Sequence, residues 1–362
     1  MFFRRFLAWV QRYERHLSAL AMVAGFIADN VFFGRIDLWK THAVFASYTL
    51  ICFLTIPLLH RIESRAAAGI ARPRWRGVLP IVTQFALGGF WSGLVIFYGR
   101  SAIFGGSWIF PAFLFLILLG NEYFRRYHDR LVFTSLLFFF ALYSYAIFAV
   151  PIYTGSLGTL SFLESGALAI GIFAVFIALL HVFARTRFRA DLSRIGIGAF
   201  AILILMNAFY FTNILPPLPL SAEAVGVYHD VWRVPGAYLA KSEAEPWAVR
   251  YLGFSPVMHV VPGESLSAYS AVFAPTTLMT TIVHRWQWYD PAEKQWVTQA
   301  VVPYPIVGGR DGGYRGYSTV RIDKAGEWRV SIETSDGRRI AYLPFSVEEV
   351  ASPPEEQTIT LQ

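Results

Sequence analysis

Seven apolar stretches, roughly 16–34, 41–60, 78–98, 103–122, 131–151, 159–183 and 195–214, fill the first part of this 362-residue chain. Most approach the length of about 20 residues that a helix needs to cross roughly 30 Å of hydrocarbon. Arginines gather in alternate gaps between them. Arg4, Arg5, Arg12 and Arg15 precede the first stretch, and Arg61, Arg65, Arg72, Arg74 and Arg76 follow the second. Arg125, Arg126 and Arg130 follow the fourth, and Arg185, Arg187, Arg189 and Arg194 the sixth. The other gaps hold only Arg35, Lys40 and Arg100, a ratio of 16 to 3. Basic residues close to membrane spans stay in the cytoplasm. The pattern therefore predicts a cytoplasmic amino terminus, seven spans, and an extracytoplasmic segment after the seventh.

The formal net charge of +7 divides unevenly at residue 218, with 19 basic and 8 acidic residues before it and 12 and 16 after it. The basic excess belongs to topology, and no nucleic-acid partner is expected. Cys52, the one cysteine, lies inside the second stretch, so no intrachain disulfide is available. Residues 1–15 read as an amphipathic helix lying on the cytoplasmic leaflet. The first apolar run passes straight into Asp29-Asn30 without a small-residue cleavage site, which predicts an uncleaved span rather than a signal peptide.

Short connections between spans predict an antiparallel bundle over 16–215, with Gly88, Gly89, Gly93, Gly166 and Gly171 allowing close helix approach. Three prolines in Pro216-Pro-Leu-Pro-Leu220 predict a stiff exit over 216–225. Residues 226–348 read as an all-β domain. Leu266–Phe273, Thr280–Tyr289, Gln295–Val302, Tyr317–Ile322, Glu327–Glu333 and Arg339–Val347 are rich in β-branched and aromatic residues, and Ser335-Asp336-Gly337 marks a hairpin. Strands at this spacing predict an antiparallel, immunoglobulin-like sandwich. The segment 221–255 reads as irregular with room for a short helix, and the acidic, proline-bearing 349–362 as disordered.

Several motifs together resemble a widespread bacterial domain, the domain of unknown function 2914. They are Val283-His-Arg-Trp-Gln-Trp-Tyr289, the glycine-rich Gly308–Tyr317, Gly326-Glu-Trp-Arg-Val330 and Phe345-Ser-Val347. The apolar half is similar to its companion membrane region, the domain of unknown function 5924, at Asn121-Glu122, Pro216–Leu220 and Gly226-Val-Tyr-His229. The resemblance implies this architecture and no particular activity.

Two sets of residues could carry a function. Asp29, Arg35, Asp37, His42, Arg100 and Glu164 fall at the outer-leaflet depth of different spans. Ionisable groups there either pair across helix ends or line a polar pocket. Glu164, between Ser161 and Ser165, is the sharpest of them. In the β domain, His284, Trp286 and Trp288 alternate on one face of a strand, with Trp328 on a neighbouring strand and Arg310 and Arg315 on the glycine-rich loop. The rings form either a core or an exposed platform for sugars, the arginines supplying donors to an anion. The histidines lack ligand spacing, so neither a metal nor another cofactor is expected. No Gly-x-Ser-x-Gly elbow or phosphate loop is present.

The expected function is that of a bacterial inner-membrane protein whose periplasmic sandwich binds a glycan, a lipid head group or an envelope protein. The alternative is a membrane enzyme or transporter acting on a lipid-linked substrate at the outer-leaflet cluster. The oligomeric state is not legible in the sequence.

Overall fold

A computed structural model describes residues 29, 39–73, 78–102, 107–123, 131–243, 255–276, 278–310 and 312–361, the side chains of 121–123 and 186–187 excepted. The amphipathic stretch 1–15, Arg35, Asp37 and nearly all of the first span lie outside these residues. The chain divides into two units. One comprises 1–99, 109–150 and 159–212; the other comprises 100–108, 151–158 and 213–362.

Six helices are formed among the described residues: α1 Trp39–Ala67, α2 Val78–Ala102, α3 Ile109–Tyr123, α4 Leu131–Thr154, α5 Thr159–Phe183 and α6 Arg185–Phe211. All but α3 are long and apolar enough to cross a membrane, so five of the seven expected spans are seen among the described residues. The stretch 103–122 yields only the 15-residue α3, which opens after a turn at Ser107-Trp108 and carries Pro111 in its first turn. There the missing proline N–H costs no helical hydrogen bond. A basic loop was expected after the sixth stretch, but only Ala184 separates α5 from α6. Arg185, Arg189 and Arg194 ride on the first turns of α6, where Arg194 pairs with Asp191 at 3.1 Å.

Aromatic side chains fill the helical core. The Phe45 ring of α1 meets Phe90 and Phe97 of α2 and Tyr145 and Phe148 of α4 at 4.9–6.1 Å. Several hydroxyl groups satisfy themselves locally, as an apolar solvent favours. Ser47, Thr49, Thr55 and Ser165 each donate to the carbonyl four residues back at 2.7–2.8 Å. Small residues admit rings, but not at every expected place. Gly89 lies under the Tyr48 ring and Gly166 under Tyr143, whereas Gly88 and Gly171 face open space.

Among the described residues, eleven strands form three sheets in the second unit. Their ranges are β1 Ser221–Tyr228, β2 Asp230–Val234, β3 Ala237–Glu243, β4 Val257–Val260, β5 Ser265–Phe273, β6 Met279–Asp290, β7 Gln295–Val307, β8 Tyr314–Arg321, β9 Gly326–Thr334, β10 Arg339–Glu349 and β11 Glu356–Leu361. The sheet orders are β1-β5-β8, β4-β10-β9-β6-β7 and β11-β3-β2, with only β4 and β10 parallel. Leu266, Ala268 and Val272 of β5 join Trp286, Trp328, Val330 and Phe345 of the five-stranded sheet in one core. The alternate residues Tyr269 and Ala271 join Val231, Ala240 and Leu361 in a second. Strand β5 is therefore covered on both faces, and the simple two-sheet sandwich gains a third layer.

Two expectations are corrected. The segment called irregular contributes β1, β2 and β3. Its polar residues, such as Asp230 and Lys241, and its partial burial mask the alternation. The tail called disordered contributes β11, which pairs with β3 from Glu356↔Glu243 to Leu361↔Tyr238. The Pro353-Pro354-Glu355-Glu356 run hides the short Thr-Ile-Thr-Leu strand behind it. The proline exit is also more than a spacer. Leu215 to Leu220 are buried, and Arg338 Nη2 donates to Leu215 O at 3.0 Å while Ser101 Oγ donates to Leu220 O at 2.6 Å.

Candidate functional site

The alternating tryptophans of β6 point into the core. His284 and Trp286 are fully buried, and Trp328 of β9 is 2% exposed. Trp288 is half-buried, donates from Nε1 to Ala325 O at 3.0 Å and carries the Lys324 ammonium 4.1 Å above its ring. Around His284 a closed polar network replaces water. Its Nε2 lies 2.9 Å from Ser270 Oγ and its Nδ1 2.8 Å from Ser318 Oγ, which also accepts from Trp286 Nε1 at 2.9 Å. Ser270 is bonded in turn to the Tyr304 hydroxyl, whose ring lies against Gly316 where no side chain intervenes. Burial lowers the His284 pKa to about 4 and raises that of Tyr304, so both are neutral at physiological pH. One imidazole nitrogen then donates and the other accepts, as two serines allow. The network is a satisfied core and offers no route to a substrate.

Arg310 and Arg315 do not join these tryptophans. Arg310 stacks on Tyr314 at 4.6 Å. Arg315 lies opposite Ala271 on the side of β8 that carries Tyr317, while the His284 contact is made by Ser318 on the other side. Of the outer-leaflet set, His42 is buried with Nδ1 3.1 Å from the Tyr145 hydroxyl. Asp29 is partly buried near Ser92 and Tyr48. Glu164 is exposed on α5 beside exposed Leu160, Leu163 and Leu168, while its neighbours Ser161 and Ser165 are buried. Arg100 is partly exposed at the last turn of α2, in the second unit, where the Glu223 carboxylate acts on it.

A second polar knot holds β3 against β4. Glu243 Oε1 accepts from His229 Nε2 at 2.7 Å and from the His259 backbone N–H at 2.8 Å, and Oε2 accepts from His259 Nδ1 at 2.6 Å. Burial alone would raise the Glu243 pKa, but these bonds, those from His259 foremost, outweigh it and hold it below the usual 4.5. Glu243→Gln should cost roughly 1–3 kcal/mol, the value of hydrogen bonds to a charged acceptor. A thermal melt of the intact protein at pH 7 checks this. Because the folded pKa is the lower one, the Glu243 contribution is present above pH 4.5 and is lost as pH falls below it. Among the described residues no cluster of histidine, cysteine or acid is arranged to hold a metal.

The outer face of the five-stranded sheet carries the one concentration of aromatic and cationic groups that sequence reading missed. Arg285, Gln287 and Tyr289 of β6 point to this face, and a bulge in β7 brings Trp296 there too. Ala300 pairs with Trp286, but Thr298 pairs with Gln287 and Trp296 with Tyr289. The extra residue, Gln299, reverses the side to which the start of β7 points. Trp296 and Tyr289 rings meet at 5.3 Å. The Arg329 guanidinium lies 4.1 Å over Trp296, with its Nε donating to Gln287 Oε1 at 2.8 Å. Tyr342 follows at 6.0 Å from Arg329, and Arg339 stacks on Tyr342 at 5.2 Å. Arg285 on the same face is neutralised by Glu333 at 2.9 Å. Arg329 and Arg339 have no carboxylate within ion-pairing distance among the described residues.

Residues 279–347, from β6 through most of β10, match the family described as protein of unknown function (DUF2914). That segment includes His284, Trp286, Tyr304 and Ser318 of the buried network, but not Ser270, and the whole aromatic and arginine ladder. No curated protein matches the chain. Among solved structures, a β-glucosidase from Listeria innocua is similar at 12% identity and a TM-score of 0.20. The alignment covers 33% of this chain and 17% of that one. The alkylpurine DNA glycosylase AlkC of Pseudomonas fluorescens, bound to DNA containing an abasic site analog, aligns at 11% identity. Its TM-score is 0.21, with 86% and 83% of the two chains covered. The chain thus spans about a sixth of the glucosidase, and scores this low carry no argument about fold or function.

Proposed function

We propose that the chain is an inner-membrane protein of the bacterial envelope whose β region faces the periplasm and binds an envelope component there. The observation that carries this reading is the outer face of the five-stranded sheet, where rings and guanidiniums are partly exposed while the opposite face buries an apolar core. Sidedness is supported twice. Basic residues cluster in alternate gaps, and the connections 100–108 and 151–158 belong to the same unit as the β region, the side that the charge pattern assigns to the periplasm. A non-catalytic role accords with a histidine network sealed from solvent. The rival, catalysis or transport at an outer-leaflet pocket, gains no support from Glu164 on an exposed helix face.

The test has two parts. An alkaline phosphatase fused after residue 362 should be active and a fluorescent protein that folds only in the cytosol should stay dark. The full chain in nanodiscs should then retain a component of envelope extracts. A glowing cytosolic fusion, or no component retained, would overturn the reading.

A further inference from the structure

We infer that the ladder Trp296–Arg329–Tyr342–Arg339, with Tyr289 beside it, is a binding site for an anionic carbohydrate chain; this rests on the binding role proposed above. The ladder crosses β7, β6, β9 and β10, a span of roughly 14 Å at about 4.8 Å per strand. An extended polymer suits that span better than a single small ion. Trp296, Tyr289 and Tyr342 are half-exposed, giving flat apolar surfaces of the kind on which the C–H faces of sugar rings stack.

The charges identify the ligand as acidic. The face places Glu333, which lies opposite Arg339, on Arg285 and leaves Arg329 and Arg339 without an ion-paired carboxylate among the described residues; Glu327 farther along β9 and Glu348 at the end of β10, 3.8 Å from His259, also point this way. Arg329 is pre-set, its plane fixed by the Trp296 ring beneath and its Nε by Gln287, so that its outer N–H groups can meet an oxyanion with little further ordering. Rings between fixed cations fit acidic groups recurring along a sugar chain, with carboxylate or phosphate serving the same donors.

Full-length protein in nanodiscs would be titrated with an oligogalacturonate, its neutral methyl ester, inorganic phosphate and lipopolysaccharide vesicles. The oligogalacturonate should bind and its ester should not. Trp296→Ala and Arg329→Gln should each weaken binding about tenfold or more, with thermal melts showing the variants folded. Arg329→Lys should recover only part of the loss, because a lysine keeps the charge without the planar fork. Binding of vesicles and not of oligogalacturonate, again sensitive to both variants, would identify the lipid-linked form as the source. Equal binding of acid and ester, binding of phosphate alone, or unchanged affinity in both variants would overturn the assignment. An envelope component still retained by Trp296→Ala and Arg329→Gln would sink the ladder while sparing the broader binding role.

Discussion

Acidification from pH 7 to pH 4 should weaken the β region by about 3 kcal/mol through His284 alone. In the unfolded chain this imidazole takes up a proton near its ordinary value of 6.5, but in the folded core it does so only near 4, because burial penalises the cation. Between those values the unfolded state binds more protons, so stability falls as pH falls. Each pH unit in the window costs about 1.4 kcal/mol, and the loss levels off below the folded value. The Glu243 contribution disappears at still lower pH. Hydrogen exchange of the β5, β6 and β8 amides, followed in the full-length protein, reads the effect. His284→Gln should flatten the dependence between pH 6.5 and 4. A variant whose profile matched the unaltered protein would show that the histidine does not carry it.

Gly308→Ala should destabilise the same region by about 3 kcal/mol or more, at the upper end of overpacking effects. A Cβ at Gly308 would stand 1.6 Å from the Pro275 carbonyl oxygen and 2.5 Å from its carbon, and both are backbone atoms. The approach is tight because Gly308 N donates to Leu278 O and Gly309 N to Ala274 O, fastening the end of β7 to the β5–β6 connection. No rotamer can relieve the clash, so these two bonds must break. Gly337→Ala is the natural control. Its φ is +83° but nothing lies within 4 Å, so only the left-handed backbone cost of about 1–2 kcal/mol applies. Thermal melts of the two variants should separate clearly, and equal melting points would refute the argument.

Long apolar runs made the helices easy to read, because crossing hydrocarbon depends on length and composition rather than on partners. Alternation likewise placed His284, Trp286 and Trp288 together. It could not say whether their face of β6 is a covered core or an exposed platform, since large aromatics serve in both. That choice is made by the strands packed opposite, β5 and β8, whose small Ser270, Gly316 and Ser318 admit the larger rings. The side to which Trp296 points was not legible for a different reason. One extra residue in β7 reverses its direction, and a bulge of this kind leaves no signal in composition. The exposure of Glu164 was not legible either, because spacing along a helix does not reveal which side meets neighbours.

The pairing of β11 with β3 has a consequence for the order of assembly. Leu361 meets Tyr238 across more than a hundred intervening positions, whereas β2 and β3 meet across a single turn. Closing so large a loop is slow relative to forming a local hairpin. Until it closes, β3 presents a bare row of amides and carbonyls, and the small hydrophobic cluster of Val231, Ala240 and Tyr269 lacks its lid, Leu361. Shortening the protein before Glu356 should therefore leave a nearly complete molecule with an adhesive rim, prone to self-association rather than unfolding.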